Sequence, residues 1–169
     1  MNTQFPELLR ALVHADVEFI VIGGAAAIAH GSARLTQDLD ILYRRSPENM
    51  DRIVQALDPF KPYPRGAPPG LPFRWDRRTL DFGLNFTLKV SLGEIDVLGE
   101  IAGGDYERLL PRCVMLELYG IRCRCLDLDS LIKTKRAAGR PKDFEAIAEL
   151  ESIREEKAKP SDEQSGGAP

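Results

Sequence analysis

The stretch VEFIVIGGAAAIAHGSARLTQDLDILY, residues 17–43, limits the fold more than any other part of the chain. Residues 17–22 are a short β-branched run, the composition of a buried strand, and Gly23 and Gly24 stop it. Residues 25–29 favour a helix, which Gly31 and Ser32 close. DLDILY, residues 38–43, alternates polar and apolar at its start and reads as a second strand. In a strand, side chains at i and i+2 point the same way, so Asp38 and Asp40 project together while Leu39 and Ile41 pack behind them.

The rest of the chain supplies the remaining layers. Residues 6–15 place Leu8, Leu9, Leu12 and Val13 at the spacing of an amphipathic helix with proline in its first turn. Residues 47–57, with Met50, Ile53, Val54 and Leu57, predict another helix. Six prolines and two glycines between 59 and 82 predict a long loop there, with no regular helix and no central strand, carrying Trp75 and the arginine cluster Arg74, Arg77 and Arg78. Residues 85–90 and 94–98 read as a hairpin, and 114–119 with 121–125 as a further strand pair turning at Gly120. Helices follow at 127–138, stopped by Gly139, and from Pro141 to about 154. The last residues, 155–169, are charged and rich in Pro, Gly and Ser, the composition of a disordered tail. This order predicts one α/β domain over residues 1–154: a mixed sheet flanked by helices, with C-terminal helices.

Composition narrows the classes of partner. The 23 Lys and Arg against 26 Asp and Glu give a net charge of −3, so any polyanion site has to be local rather than a basic surface. Basic residues cluster at 74–78 and again at Lys133, Lys135, Arg136, Arg140 and Lys142. The longest apolar stretch is interrupted by Gly23 and Gly24 and is far shorter than the roughly 20 residues of a membrane span. The N-terminal residues do not have the pattern of a secretory signal, so a cytoplasmic location is expected. Cys113, Cys123 and Cys125 match no zinc spacing and read as reduced, structural thiols.

The carboxylates carry the chemistry. Two parallel carboxylates repel unless something positive lies between them, and a divalent metal such as Mg²⁺ suits that place. Asp96, flanked by Ile95 and Val97, shows the same pattern. If its strand lies beside the DLDILY strand, the three carboxylates can serve two metals about 3.5–4 Å apart, the arrangement used for in-line displacement at phosphorus. Gly23 and Gly24 end a strand and open a helix, leaving backbone N–H groups and close approach for a phosphate. The segment has neither the Lys-Ser/Thr of a P-loop nor a dinucleotide fingerprint. Lys135 and Arg140 can neutralise phosphate charge, and Arg34 and Thr36 flank the aspartate pair, suited to phosphate contact or to bracing the loop. Asp143, near the start of a helix, suits the dipole there in any case. His30 fits a packing role better than a metal-binding one.

Taken together, GG before an alanine-rich helix, HGSARLTQDLDI, GEIDVLGEI and LIKTKRAAGRPKDFEAI resemble the minimal nucleotidyltransferases of the DNA polymerase β-like superfamily, and within it the group containing AbiEii-type and MenT-type toxin enzymes. The resemblance spans about residues 5–152. It implies transfer of a nucleoside monophosphate from a nucleoside triphosphate to an acceptor hydroxyl, with release of pyrophosphate and two Mg²⁺ ions in the site. Residue by residue, it implies that Gly23 and Gly24 are the phosphate-binding turn, Asp38 and Asp40 the metal pair, and Asp96 the third carboxylate. Lys135 and Asp143 stand where toxin-like members have a further functional Lys and Asp. Many relatives have Gly-Ser at the turn, and Gly-Gly here removes a hydroxyl, leaving only backbone donors. The toxin-type likeness further implies a tRNA 3′ end as one acceptor and a cognate antitoxin as one partner. Two other readings stay open: a small-molecule, antibiotic-type nucleotidyltransferase, and a catalytically silent nucleotide-binding or partner-binding protein of the same fold.

Overall fold

The computed structural model describes residues 2–160, and the 161–169 portion of the expected disordered tail lies outside the described residues. The chain begins with α1 (Phe5–His14), whose Phe5, Leu8, Leu9 and Leu12 are buried at helical spacing. β1 (Phe19–Ile22) is buried at every position and runs directly into α2 (Gly23–Ala29), as a strand stopped by glycines should. β2 (Asp38–Tyr43) alternates at its start and then becomes fully buried. α3 (Pro47–Leu57) opens on a Ser46 side chain that accepts from the Asn49 N–H and buries Met50, Ile53 and Leu57.

After α3 come a short edge strand β3 (Tyr63–Pro64), α4 (Arg77–Phe82), and the β4 (Asn85–Val90) and β5 (Gly93–Leu98) hairpin. A small two-stranded unit, β6 (Glu100–Ile101) with β7 (Gly104–Asp105), leads to α5 (Tyr106–Leu109). β8 (Cys113–Leu118) and β9 (Ile121–Leu126) form the second hairpin, followed by α6 (Leu128–Ala138) and α7 (Phe144–Ala158). Asp127 caps α6 by accepting from the Ser130 N–H at 2.7 Å, and Gly139 ends it in the left-handed region.

The seven-stranded sheet has the order β3-β4-β5-β2-β1-β9-β8. β2 pairs parallel with β5 and β1 parallel with β9, while the remaining neighbours are antiparallel, so the sheet is mixed as expected. Helices α1, α3 and α4 pack against one another as one group, and α2, α6 and α7 as another. Leu39, Ile41, Ile95 and Val97 are fully buried, so the central strands send their alternate residues into the core.

Two expectations need correction. The segment 59–82 is not a continuous loop: its prolines end at Pro72, and RRTLDF forms α4, with an Asp76 side chain capping it through the Thr79 N–H at 2.8 Å and Leu80 fully buried. Pro64 occupies a sheet edge, where a missing N–H is tolerated. The tail does not begin at 155, because Glu155, Glu156, Lys157 and Ala158 are good helix formers that prolong α7, and Pro160 follows its end. Cys113, Cys123 and Cys125 are free thiols, the last two buried. No helix among the described residues is long and apolar enough to cross a membrane.

One polar side chain in the core fixes how α3 sits. Asn49 is fully buried, its Oδ1 accepting from the Glu18 N–H at 2.7 Å and its Nδ2 donating to Glu18 O at 2.9 Å and Arg44 O at 2.8 Å. The amide thus ties the helix to the segment before β1 and the one after β2. Replacing Asn49 with Ala leaves the Glu18 N–H and the Arg44 carbonyl without this partner, while Glu18 O keeps the bond it accepts from the Arg44 N–H, and urea unfolding of Asn49→Ala is expected to show a loss of about 1–3 kcal/mol. A loss below about 0.5 kcal/mol would show that these groups find other partners.

Candidate active site

The parallel pairing of β2 with β5 sets Asp40 opposite Asp96 and Asp38 opposite Glu94. Directly opposed residues in adjacent strands share a face, so residues far apart in sequence join one acidic surface. Asp38, Asp40 and Asp96 each offer a ligand oxygen, and these oxygens lie within 4.8 Å of one another. The condition attached to Asp96 in the sequence, adjacency of its strand to DLDILY, is met.

Packing around the cluster explains both glycines of the turn. Gly23 has φ of +63°, and a Cβ there would sit 2.3 Å from Asp40 Oδ2. At Gly24 a Cβ would lie 2.7 Å from the Thr36 hydroxyl, which itself donates to Asp38 O at 3.3 Å. The Gly-Gly pair therefore lets α2 close onto the carboxylate strand. No side chain caps the start of α2.

The cluster opens into a cleft of about 410 Å³. Gly24, Arg34, Thr36, Asp38, Asp40, Asp96, Lys135, Arg140 and Asp143 all line it, so the residues singled out in the sequence converge on one concavity. Gly23 borders an adjoining recess that shares Asp40, Lys135 and Arg140 with the cleft. Asp143 is buried and accepts from Arg140 Nε at 2.7 Å, so it orients an arginine at the rim instead of bonding its own helix start. Arg34 lies 3.7 Å from Glu145 across an exposed gap. The loop carrying it is tied to α7 where Ser32 and the Ala33 N–H bond the Glu149 carboxylate. Between Arg34 and Thr36, Leu35 stands 99% exposed at the cleft. His30 is buried at the end of α2, its Nε2 2.9 Å from Leu126 O, a packing role.

Sequence reasoning missed two charged members. Glu94 stands two residues before Asp96 in GEID, and the i, i+2 logic applied to Asp38 and Asp40 would have found it. Arg65 gave no local signal, because only the pairing of the edge strand with β4 brings it in. Its Nη2 donates to Asp96 Oδ1 at 2.8 Å, and its other nitrogens lie 3.8 Å from Asp38 and 3.6 Å from Glu94.

The electrostatics follow from this crowding. Burial, reinforced by the charges of Asp38 and Asp96, pushes Asp40 up to about 8. Asp96 is raised as well, first by burial, with Arg65 pulling the other way. Asp40 Oδ1 is buried without a hydrogen-bond partner. An orphaned carboxylate oxygen between two further carboxylates requires a proton or a cation, and hard oxygen donors in this number suit a divalent ion such as Mg²⁺.

Neither a protein-family model nor a curated protein sequence matches the chain. Solved structures do. The lincosamide antibiotic adenylyltransferase LnuA, in its lincomycin-bound form, superposes with a TM-score of 0.61 at 17% identity, covering 90% of this chain and 99% of that one. A candidate nucleotidyltransferase from Thermotoga maritima gives 0.56 at 14% identity, covering 89% and 91%. The antibiotic-resistance factor ANT(2'')-Ia gives 0.55 at 13% identity, covering 90% and 88%. The chain thus has the fold of nucleotidyltransferase structures, antibiotic-modifying ones among them.

Asp40 gives the metal-free protein a distinctive pH response. Its folded value is raised above that of the unfolded chain, so the folded state holds a proton that the unfolded state releases from about pH 4 upward. Stability contributed at this site is therefore present at low pH and lost as pH rises toward about 8. With chelator present, Tm should fall between pH 5 and pH 8, and Asp40→Asn should flatten that part of the curve. An Asp40→Asn curve as steep as the parent's would contradict the assignment.

Proposed function

We propose that this chain is a metal-dependent nucleotidyltransferase, moving a nucleoside monophosphate from a nucleoside triphosphate to an acceptor hydroxyl and releasing pyrophosphate. The observation that carries the reading is the in-register carboxylate cluster with its unpartnered Asp40 oxygen, opening into a cleft rimmed by Lys135 and Arg140. Asp38, Asp40 and Asp96 would hold the metal, and two bound ions would supply charge neutralisation at the α-phosphate and at the leaving pyrophosphate.

The chain's own groups divide the remaining work. Lys135 Nζ and the Arg140 guanidinium, the latter held by Asp143, face the charge of the triphosphate tail. Gly24, at the uncapped start of α2, offers a backbone N–H to phosphate, and Gly23 keeps Asp40 in place. Arg34 and Thr36 flank the entrance, and exposed Leu35 between them gives a base an apolar surface. Asp96, on the strand farthest from α2 within the cluster, would orient the acceptor hydroxyl and take its proton.

For the acceptor, a hydroxylated small molecule is favoured, since LnuA is an antibiotic adenylyltransferase and ANT(2'')-Ia an antibiotic-resistance factor of this fold, and the chain's net charge is −3. A tRNA 3′ end and an antitoxin partner rest on the toxin-type resemblance in the sequence motifs. A single domain that runs to the end of α7 and a cytoplasmic setting accompany the same reading.

Incubation with each α-labelled nucleoside triphosphate, Mg²⁺ and panels of aminoglycosides, lincosamides and total RNA tests both levels. Label should enter one acceptor class, with Asp38→Ala and Asp96→Ala lowering the rate at least about 1,000-fold and Lys135→Ala about 10- to 100-fold. Equal rates for parent and Asp96→Ala would refute the mechanism. Mg²⁺-dependent triphosphate binding without transfer to any acceptor would favour the silent binding protein.

A further inference from the structure

Arg65 stands out among the arginines by how incompletely it is satisfied. Its Nη2 donates to Asp96 Oδ1 at 2.8 Å and to Leu88 O at 3.1 Å, yet its buried Nε has no hydrogen-bond partner. The neighbouring carboxylates, Asp38 at 3.8 Å from Nη1 and Glu94 at 3.6 Å from Nε, stand beyond hydrogen-bond reach. Arg45, by contrast, is a well-seated structural arginine, bonding the Tyr43 hydroxyl and the carbonyls of Leu80 and Asp81. A guanidinium drawn in by several acids but fitted to one is placed by net charge more than by directed bonds.

Two of the acids that hold Arg65 are also members of the cluster suited to a metal. Asp96 and Asp38 belong to it, whereas Glu94 does not. The backbone that carries Arg65 is lightly anchored. The residue follows the two-residue edge strand β3, has one further backbone bond from its N–H to Thr87 O at 2.9 Å, and precedes Gly66, whose φ is +79°. The side chain is partly exposed, so it has a way out toward Glu94 and solvent.

We propose that Arg65 is the resident counter-ion of the carboxylate cluster: it neutralises Asp96 and Asp38 in the metal-free protein and leaves Asp96 when a divalent cation enters, with Glu94 receiving it. Arg65 thereby sets the metal concentration at which the site fills. This rests on the metal-site reading above. It also gives a loss-of-charge substitution an unusual sign, because removing a merely structural arginine loosens a site, whereas removing a competing cation tightens it.

Mn²⁺ titration without nucleotide, followed by electron paramagnetic resonance, reads this directly. Arg65→Met is expected to bind Mn²⁺ at least about tenfold more tightly than the parent, and the gain should shrink at high salt. Its Tm in chelator should drop, and Mn²⁺ should raise it by more than it raises the parent's. Arg65→Gln, which keeps a donor for Asp96 or Leu88 O without the charge, tests the same point if Arg65→Met does not fold, and should also bind more tightly. Equal or weaker Mn²⁺ binding by the folded variant overturns the proposal. If the parent binds Mn²⁺ and Asp38→Asn abolishes it while the Arg65 variants show no gain, the metal-site reading stands and the counter-ion role alone fails. If no variant and not the parent binds Mn²⁺, both fail.

Discussion

The parallel alignment of β2 with β5 is the constraint on which the rest of the site depends. It places Asp40 beside Asp96 with no freedom to separate them, since a slip of one residue would turn one aspartate to the opposite face of the sheet. Like charges held this close have to be compensated. The structure shows how: Asp40 is driven toward its protonated form, Arg65 is drawn in from the sheet edge, and one carboxylate oxygen still has no partner. A fold serving only its own stability would gain nothing from this arrangement, because well-packed apolar residues avoid the same desolvation cost.

The surrounding elements can be understood as supports for that pairing. Buried Leu39, Ile41, Ile95 and Val97 fix the register from behind, so the acids have no alternative orientation. Gly23 and Gly24 bring α2 against the front, while α6 supplies Lys135 and the short connection from α6 to α7 supplies the Arg140–Asp143 pair from the other side of the cleft.

What could be seen in the sequence was what short-range pattern encodes. The i, i+2 alternation in DLDI and EIDV and the glycine stop after VEFIVI identified the site strands and the turn, and the helical periods at 6–15 and 47–57 identified their supports. The residues missed were those whose role depends on pairing between distant segments. Arg65 lies in a proline-rich stretch with no periodicity, and only edge pairing of Tyr63 with Lys89 brings it near Asp96. Asn49 looks like any polar residue on a helix until its three backbone partners are seen. The helix at Arg77–Phe82 begins beyond the last proline, Pro72, so the proline-rich composition of 59–72 places no restraint on it and hides its short helical run. The Gly-Gly pair carried two meanings at once, phosphate approach and close packing against Asp40 and Thr36, which sequence alone does not separate.

The central claim is that Asp38, Asp40 and Asp96 form one metal-nucleotide site facing Lys135. The most direct test is anomalous diffraction from crystals grown with Mn²⁺ and a non-hydrolysable nucleoside triphosphate analogue. The account predicts Mn²⁺ peaks at about 2.0–2.3 Å from oxygens of these three aspartates, with the triphosphate lying between Gly24 and Lys135. A triphosphate bound elsewhere, or one bound in the cleft with no Mn²⁺ at the aspartates, would contradict it.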